Sequence, residues 1–285
     1  MQPAARDEPP QEEPSEPRPG GRNLPVAIIT GLSLAALVFG TLFWRAGAFV
    51  VLAAAAILLA QYEFYGALSR RGYRPARELG LAAGGVILAG AFWRGPQALS
   101  FGLVLAVVGS FLWFLVEQRR DGVVANIAVT ILGVAYVPML GAHAILIQNL
   151  PHRVSLEIAF IAAVAFYDIG AYASGSFFGK HKIAPAVSPS KTWEGAAGAT
   201  VFVFILALLV GSHLRGLDLA SAALLAAAVS VLAPLGDLAE SMLKRAAGAK
   251  DSGTLIPGHG GILDRTDSFL FAAPVVTLYV AALVR

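Results

Sequence analysis

The sequence predicts an all-α fold: a polytopic membrane protein of about nine transmembrane helices with a cytoplasmic N-terminus. Three observations carry this. Of the 285 residues, 57% are hydrophobic and only 14% charged, against about 25% charged in a water-facing domain, and mean hydropathy is +0.70. Apolar runs near the roughly 20 residues that a bilayer crossing requires recur along the chain. Lys and Arg are shared unequally between the connections. The net charge of +3 is small, so its distribution tells more than its size. There is no cysteine, which excludes a disulfide framework, a thiolate nucleophile and a Cys-based metal site.

Two regions are expected, a Pro/Glu-rich tail over residues 1–24 and a transmembrane domain over 25–285. The tail has the composition of a disordered segment and lacks the apolar core of a signal peptide. The apolar runs predict spans near Pro25–Phe43, Ala48–Leu68, Leu79–Trp93, Ala98–Val116, Val123–Leu150, Leu156–Ser174, Gly195–Leu214, Leu219–Leu235 and Asp267–Val284. The third is short. The fifth is long and contains Pro138, so it reads as one kinked crossing or as a span plus a re-entrant piece. With nine crossings, the connections after even-numbered spans hold Arg70, Arg71, Arg74, Arg77, Arg119, Arg120, Lys180, Lys182, Lys191, Lys244, Arg245, Lys250 and Arg265. The odd ones hold Arg45, Arg94, Arg153 and Arg215. This bias of thirteen to four places the N-terminus and the even connections in the cytoplasm. Two full spans in the fifth segment would set the later basic connections against the earlier ones, which favours one crossing. No internal repeat is evident, which weighs against a transporter.

Three polar clusters interrupt this background. The densest runs from Ser241 to Asp267, with Lys244, Arg245, Lys250, Asp251, His259, Asp264, Arg265 and a Pro-Gly-His-Gly-Gly turn containing Gly260 and Gly261. Upstream, Asp237, Glu240, Ser241 and Lys244 share one helical face. Glu240 and Lys244 alone would read as an i,i+4 salt bridge at a helix end, but that leaves Asp237, one turn deeper, unexplained. Glycines let a backbone approach a phosphate, basic side chains neutralise one, and carboxylates supply the hard oxygens that Mg²⁺ prefers. Together they form the equipment of metal-assisted phosphoryl or nucleotidyl transfer. The second cluster, Ser188-Pro189-Ser190-Lys191-Thr192-Trp193-Glu194-Gly195, suits an anionic headgroup or nucleotide phosphate. Lys180 and Lys182 beside it fit ordinary positive-inside anchoring. The third sets Asp168, Tyr172 and Gly175 on one face of the sixth span, where a carboxylate is costly unless it has a function. Packing against another helix through Gly170, Ala171, Ala173, Ser174 and Gly175 is the structural alternative. Glu63 reads as a structural residue at a span end.

The run Ser241–Asp267 resembles the phosphatidate cytidylyltransferase (CDP-diacylglycerol synthase) family. It matches every specified position of the pattern S-x-apolar-K-R, four residues, K-D-x-small, two residues, apolar, P-x-H-G-G-apolar-x-D-R-x-D. Ser188-Pro189-x-Lys191-Thr192-x-Glu194-Gly195, Asp168-x-x-Ala171-Tyr172-x-x-Gly175 and Glu63-Phe64 followed by Gly72 and Pro75 resemble further family motifs. The resemblance implies CMP transfer from CTP to phosphatidate in phospholipid biosynthesis, giving CDP-diacylglycerol and pyrophosphate. It implies Mg²⁺ held by Asp237 and Asp264, with a monovalent ion such as K⁺ able to share the site. On this view Lys244, Arg245, Lys250, Asp251, His259, Arg265 and Asp267 are the candidate catalytic residues. Ser188, Ser190, Lys191, Thr192, Glu194, Asp168, Tyr172, Ser241, Gly260 and Gly261 are the candidate substrate-binding residues. The expected partners are CTP, phosphatidate and the bilayer, with no nucleic acid and with a homodimer as the assembly to test. The expected location is the inner membrane, with the site facing the cytoplasm. A cytidylyltransferase for another lipid phosphate, a polytopic transporter and a non-catalytic membrane scaffold are the alternatives.

Overall fold

The computed structural model describes residues 24–118, 121–249, 253 and 260–284. The disordered-tail expectation therefore falls outside the described residues, except at Leu24, which is already helical. In chain order the elements are α1 (Leu24–Trp44), α2 (Ala46–Ser69), α3 (Arg77–Arg94), α4 (Gln97–Glu117), α5 (Val123–Val134), a π-helical turn (Ala135–Met139), α6 (Leu140–Ile147), α7 (Arg153–Phe178), β1 (Lys182–Ala184), β2 (Ser188–Thr192), α8 (Trp193–Val210), α9 (Leu219–Ala246) and α10 (Leu263–Leu283). Helices α5 and α6 run on through the π turn as one rod over Val123–Ile147, so the fifth apolar run is one crossing. The π turn coincides with Pro138, which has no N–H for the regular ladder and crowds the preceding turn.

Nine helical rods result among the described residues, in line with the number expected. Seven are long and apolar enough to cross a membrane; α1 contributes a shorter apolar stretch, Ile28–Trp44. Helix α3 carries Arg77, Glu78 and Arg94 at its ends, which dilutes its apolar length. The outer faces display large apolar side chains such as Val51, Phe101, Leu115 and Phe177. Lipid solvates such faces, while each helix satisfies its own backbone. Among the described residues the all-α pattern is broken by a short antiparallel hairpin, β1 with β2, pairing Lys182 with Thr192 and Ala184 with Ser188. Its second strand is the first part of the second polar cluster, Ser188–Thr192.

Two apolar cores lie side by side. One joins α2, α3, α4, the α5–α6 rod and α10, and the other joins α7, α8, α9 and α10 with Ile147 at the end of α6, so α10 runs through both. Buried hydrogen bonds fix α2 in the first core. Gln61 Nε2 donates to the Gly80 carbonyl at 2.9 Å, Tyr65 Oη donates to the Thr130 carbonyl at 2.8 Å, and Thr130 Oγ1 accepts from Ala76 N–H at 2.9 Å. In the second core the small residues of α7 meet those of α8. A Cβ on Gly170 would stand 3.0 Å from Ala199 Cα, and one on Gly195 would stand 3.2 Å from Gly175 Cα. Side chains cap the helices that border the site region. Thr192 Oγ1 accepts from Gly195 N–H at 3.1 Å to start α8. Asp218 accepts from Ser221 N–H at 2.7 Å to start α9, and hydrogen bonds from the Ser221 side chain and then its amide hold the carboxyl below the ordinary Asp range.

Candidate active site

Six elements border one cavity of about 490 Å³, β1 through Ile183 and α8 through Gly195 and Ala196 among them. Helix α7 contributes Tyr167, Asp168, Tyr172 and Ser176; β2 contributes Ser190, Lys191 and Thr192; α9 contributes Asp237; and α10 contributes Asp264, Arg265, Asp267 and Ser268. The three clusters that lie far apart in sequence thus meet at one wall. Strand β2 presents Lys191 here because the hairpin holds it extended. Trp193 N–H donates to the His181 carbonyl at 2.9 Å and so closes the hairpin against the start of α8.

The close approach of α9 and α10 sets the acidic centre. A Cβ at Gly236 would meet the Asp267 carbonyl carbon at 3.1 Å and its oxygen closer still. Only a residue without a side chain lets the two helices meet at this level, and it immediately precedes Asp237. Asp237 forms an ion pair with Lys191. Lys244, one face further along α9, bridges two carboxylates: it pairs with the fully buried Glu240 and donates to Asp264 Oδ1 at 2.8 Å. The other Asp264 oxygen accepts from Gly261 N–H at 2.9 Å. Gly260, with φ of 83°, turns the backbone in a conformation that side chains disfavour, so that this amide reaches Asp264. Asp267 is 7% exposed and accepts from Ser268 N–H at 2.7 Å.

Carboxylates and cations therefore alternate around one cavity wall, an arrangement that can receive a polyphosphate and a divalent ion together. The sequence profile of the Cytidylyltransferase family matches residues 25–283. This chain belongs to that family. It is 35% identical over 283 residues to the phosphatidate cytidylyltransferase of Mycobacterium leprae (strain TN), covering 93% of this chain and 89% of that protein. It is 30% identical over 285 residues to that of Synechocystis sp. (strain ATCC 27184 / PCC 6803 / Kazusa), with coverage of 90% and 96%. A shorter stretch of 137 residues is 45% identical to the Haemophilus influenzae (strain ATCC 51907 / DSM 11121 / KW20 / Rd) phosphatidate cytidylyltransferase, covering 45% and 46% of the two chains.

Within this cytidylyltransferase the candidate residues divide by position. Asp168, Tyr172, Ser190, Lys191, Thr192, Asp237, Asp264, Arg265 and Asp267 line the cavity. Lys244, Gly260 and Gly261 stand directly behind Asp264. Arg245 reaches sideways, its Nε donating to the Val187 carbonyl in the hairpin turn at 3.3 Å. Ser188 is buried at the start of β2, paired with Ala184. Glu194 stands outside the lining; its carboxylate accepts from the Lys180 and His181 amides at 3.0 and 3.1 Å and pairs with the His181 ring, which clasps the hairpin. Ser241 is half-buried on α9, also outside the lining. Lys250, Asp251 and His259 lie outside the described residues. The structure adds Tyr167 and Ser268 to the cavity and Glu240 behind it. Glu240 was visible in the helical stripe with Lys244; Tyr167 and Ser268 adjoin Asp168 and Asp267 in sequence but carry no signal of their own, and only the packing of α7 on α10 reveals them.

Proposed function

We propose that this cavity transfers CMP from CTP to phosphatidate, giving CDP-diacylglycerol and pyrophosphate. The observation that carries the proposal is the meeting of Lys191, Asp237, Lys244, Asp264 and Arg265 at one wall. Relatives that carry the name phosphatidate cytidylyltransferase over nearly the whole chain support the lipid substrate.

The nucleophile is a phosphate oxygen of the lipid, already anionic, which attacks the α-phosphorus while the α–β P–O bond breaks and pyrophosphate departs. No proton has to be removed first, so the barrier lies mainly in bringing two anions together. Lys191, Lys244 and Arg265 counter that repulsion and the charge gathering on the leaving group. The donor set fits Mg²⁺. Asp237 and Asp264 reach the same cavity, and Mg²⁺ is ordinarily held by one or two carboxylates with substrate phosphates and water completing its shell. Among the described residues no group of three His, Cys, Asp or Glu side chains that could hold a metal ion exists, so substrate phosphates and water would have to complete the shell. When bound, the ion would supply Lewis-acid polarisation of the α-phosphorus. Asp237 and Asp264 would hold it, and Lys191 and Lys244, their present partners, would turn to the phosphates. Residues from α7 through β2 would orient the lipid phosphate where the cavity adjoins the apolar faces of α7 and α8. The bias of basic residues supports a cytoplasmic face for this end of the helices, in the inner membrane, where CTP is supplied.

A panel of lipid phosphates tests the substrate. Purified protein with Mg²⁺ and CTP should convert phosphatidate in preference to an isoprenoid ether-linked phosphate. Turnover of the second with none of the first would transfer the protein to a different lipid, and turnover of neither would refute nucleotidyl transfer.

A further inference from the structure

Glu63 lies on α2, outside the cavity and outside the residues assigned above, yet it is 5% exposed and points at the beginning of α10. Its Oε2 accepts from the Leu263 backbone N–H at 2.9 Å, across 200 positions of sequence. The first turn of a helix has N–H groups without intrahelical partners, and the cap position of α10, Ile262, has no side chain that can accept from them. A carboxylate there is favoured twice, as an acceptor and as a negative charge at the positive end of the helix dipole. Helix α2 thus supplies from another part of the chain the cap that α10 lacks.

Two further contacts join the same helix end to the α9–α10 connection. A Cβ on Gly253 would fall on the Glu63 carboxyl group, 2.7 Å from Cδ, and one on Gly248 would fall on the Arg71 guanidinium, 2.6 Å from Cζ. At Gly248 and Gly253 the backbone is therefore seated directly on Arg71, just beyond α2, and on Glu63 of α2. The seat is firm, since Gln61 and Tyr65 bolt α2 to α3 and α5. The turn held by Glu63 carries Asp264 and Arg265 one and two residues on, and Asp267 one turn later.

We propose that Glu63 is the positioning residue of the acidic centre: through Leu263 N–H and Gly253 it fixes where α10 begins, and so where Asp264, Arg265 and Asp267 stand. This assignment rests on the reading of Asp264 and its neighbours as the residues that meet the triphosphate. It makes no contact with substrate necessary for Glu63 itself.

Glu63→Ala, Glu63→Gln and Gly253→Ala, in the full-length purified protein, test it with two readouts: KM for each substrate, and backbone hydrogen exchange over residues 260–267 without substrate. Glu63→Ala should raise KM for CTP about tenfold, the size of a lost cap, leave KM for phosphatidate within about twofold, and speed exchange over 260–267. Mere loss of folded protein would lower the rate but move neither KM. Glu63→Gln keeps an acceptor oxygen and should return KM for CTP to within about threefold of wild type. Gly253 lies outside the left-handed region, so alanine there is strained only by the Glu63 carboxyl; Gly253→Ala should shift KM for CTP and exchange in the same direction, with no added effect in the Glu63→Ala background. Wild-type KM for CTP together with wild-type exchange in Glu63→Ala would overturn the proposal. If that variant does not fold, the same result in Gly253→Ala would overturn it. A wild-type protein inactive on CTP and phosphatidate would count against the proposed function instead, while the exchange comparison would still decide whether Glu63 holds α10.

Discussion

At the scale of single residues, the site is built from ion pairs that substrate can rearrange. Lys191 with Asp237 and Lys244 with Asp264 hold cations and carboxylates ready without committing either to a closed cage. The Lys191–Asp237 pair is partly open, with side chains 28% and 25% exposed, and such pairs contribute at most about 1 kcal/mol to stability. Lys191→Met should therefore leave the thermal midpoint within a few degrees of wild type while lowering kcat/KM at least about 10²-fold; equal losses in both would make Lys191 a structural residue. Much of this was legible in the sequence, because Asp237, Lys244, Asp264 and Arg265 are ionisable groups where an apolar chain has no structural need of them. Glu194 was drawn into the same set by its place in a dense polar run, but its orientation depends on the hairpin, and there it clasps the Lys180 and His181 amides. Glu63 was read as a span-end residue, since nothing local marks a carboxylate whose partner lies 200 positions away.

At the scale of elements, the geometry follows from where helices approach and where they begin. The spans were legible as apolar runs, and the fifth resolved as one crossing because Pro138 is absorbed by a π turn. The hairpin was not legible: three- and five-residue strands interrupted by Pro185 and Pro189 have no period to read, and they form because β1, β2 and the start of α8 close on one another. The decisive contact is Gly236 against Asp267. A Cβ there meets backbone, which cannot swing aside as a side chain could. Gly236→Ala should cost about 1–3 kcal/mol by overpacking and separate Asp237 from Asp264, so that activity falls about 10²-fold under conditions where the variant is still folded. Thermal unfolding alongside the CTP assay measures both, and undiminished turnover would show that the α9–α10 approach does not set the centre.

At the scale of the whole molecule, α10 belongs to both apolar cores and opens with Asp264, Arg265 and Asp267. The cavity is bordered by α7, the hairpin, α8, α9 and α10, with α10 the element that links its wall to the first core. On the proposed topology the basic even connections face the cytoplasm, and an odd number of crossings would then put the C-terminus on the other side. A reporter joined after Arg285 should accordingly be accessible from outside the cytoplasm; one accessible only from the cytoplasm would require a different number of crossings. The central claim, that the wall holding Asp237 and Asp264 transfers CMP to a lipid phosphate, is tested most directly with α-phosphate-labelled CTP, phosphatidate and Mg²⁺. Wild-type protein should place the label in CDP-diacylglycerol, and Asp264→Asn, folded to the same thermal midpoint within a few degrees, should lose at least about 10²-fold of that rate. Labelled product from Asp264→Asn at the wild-type rate would contradict the account.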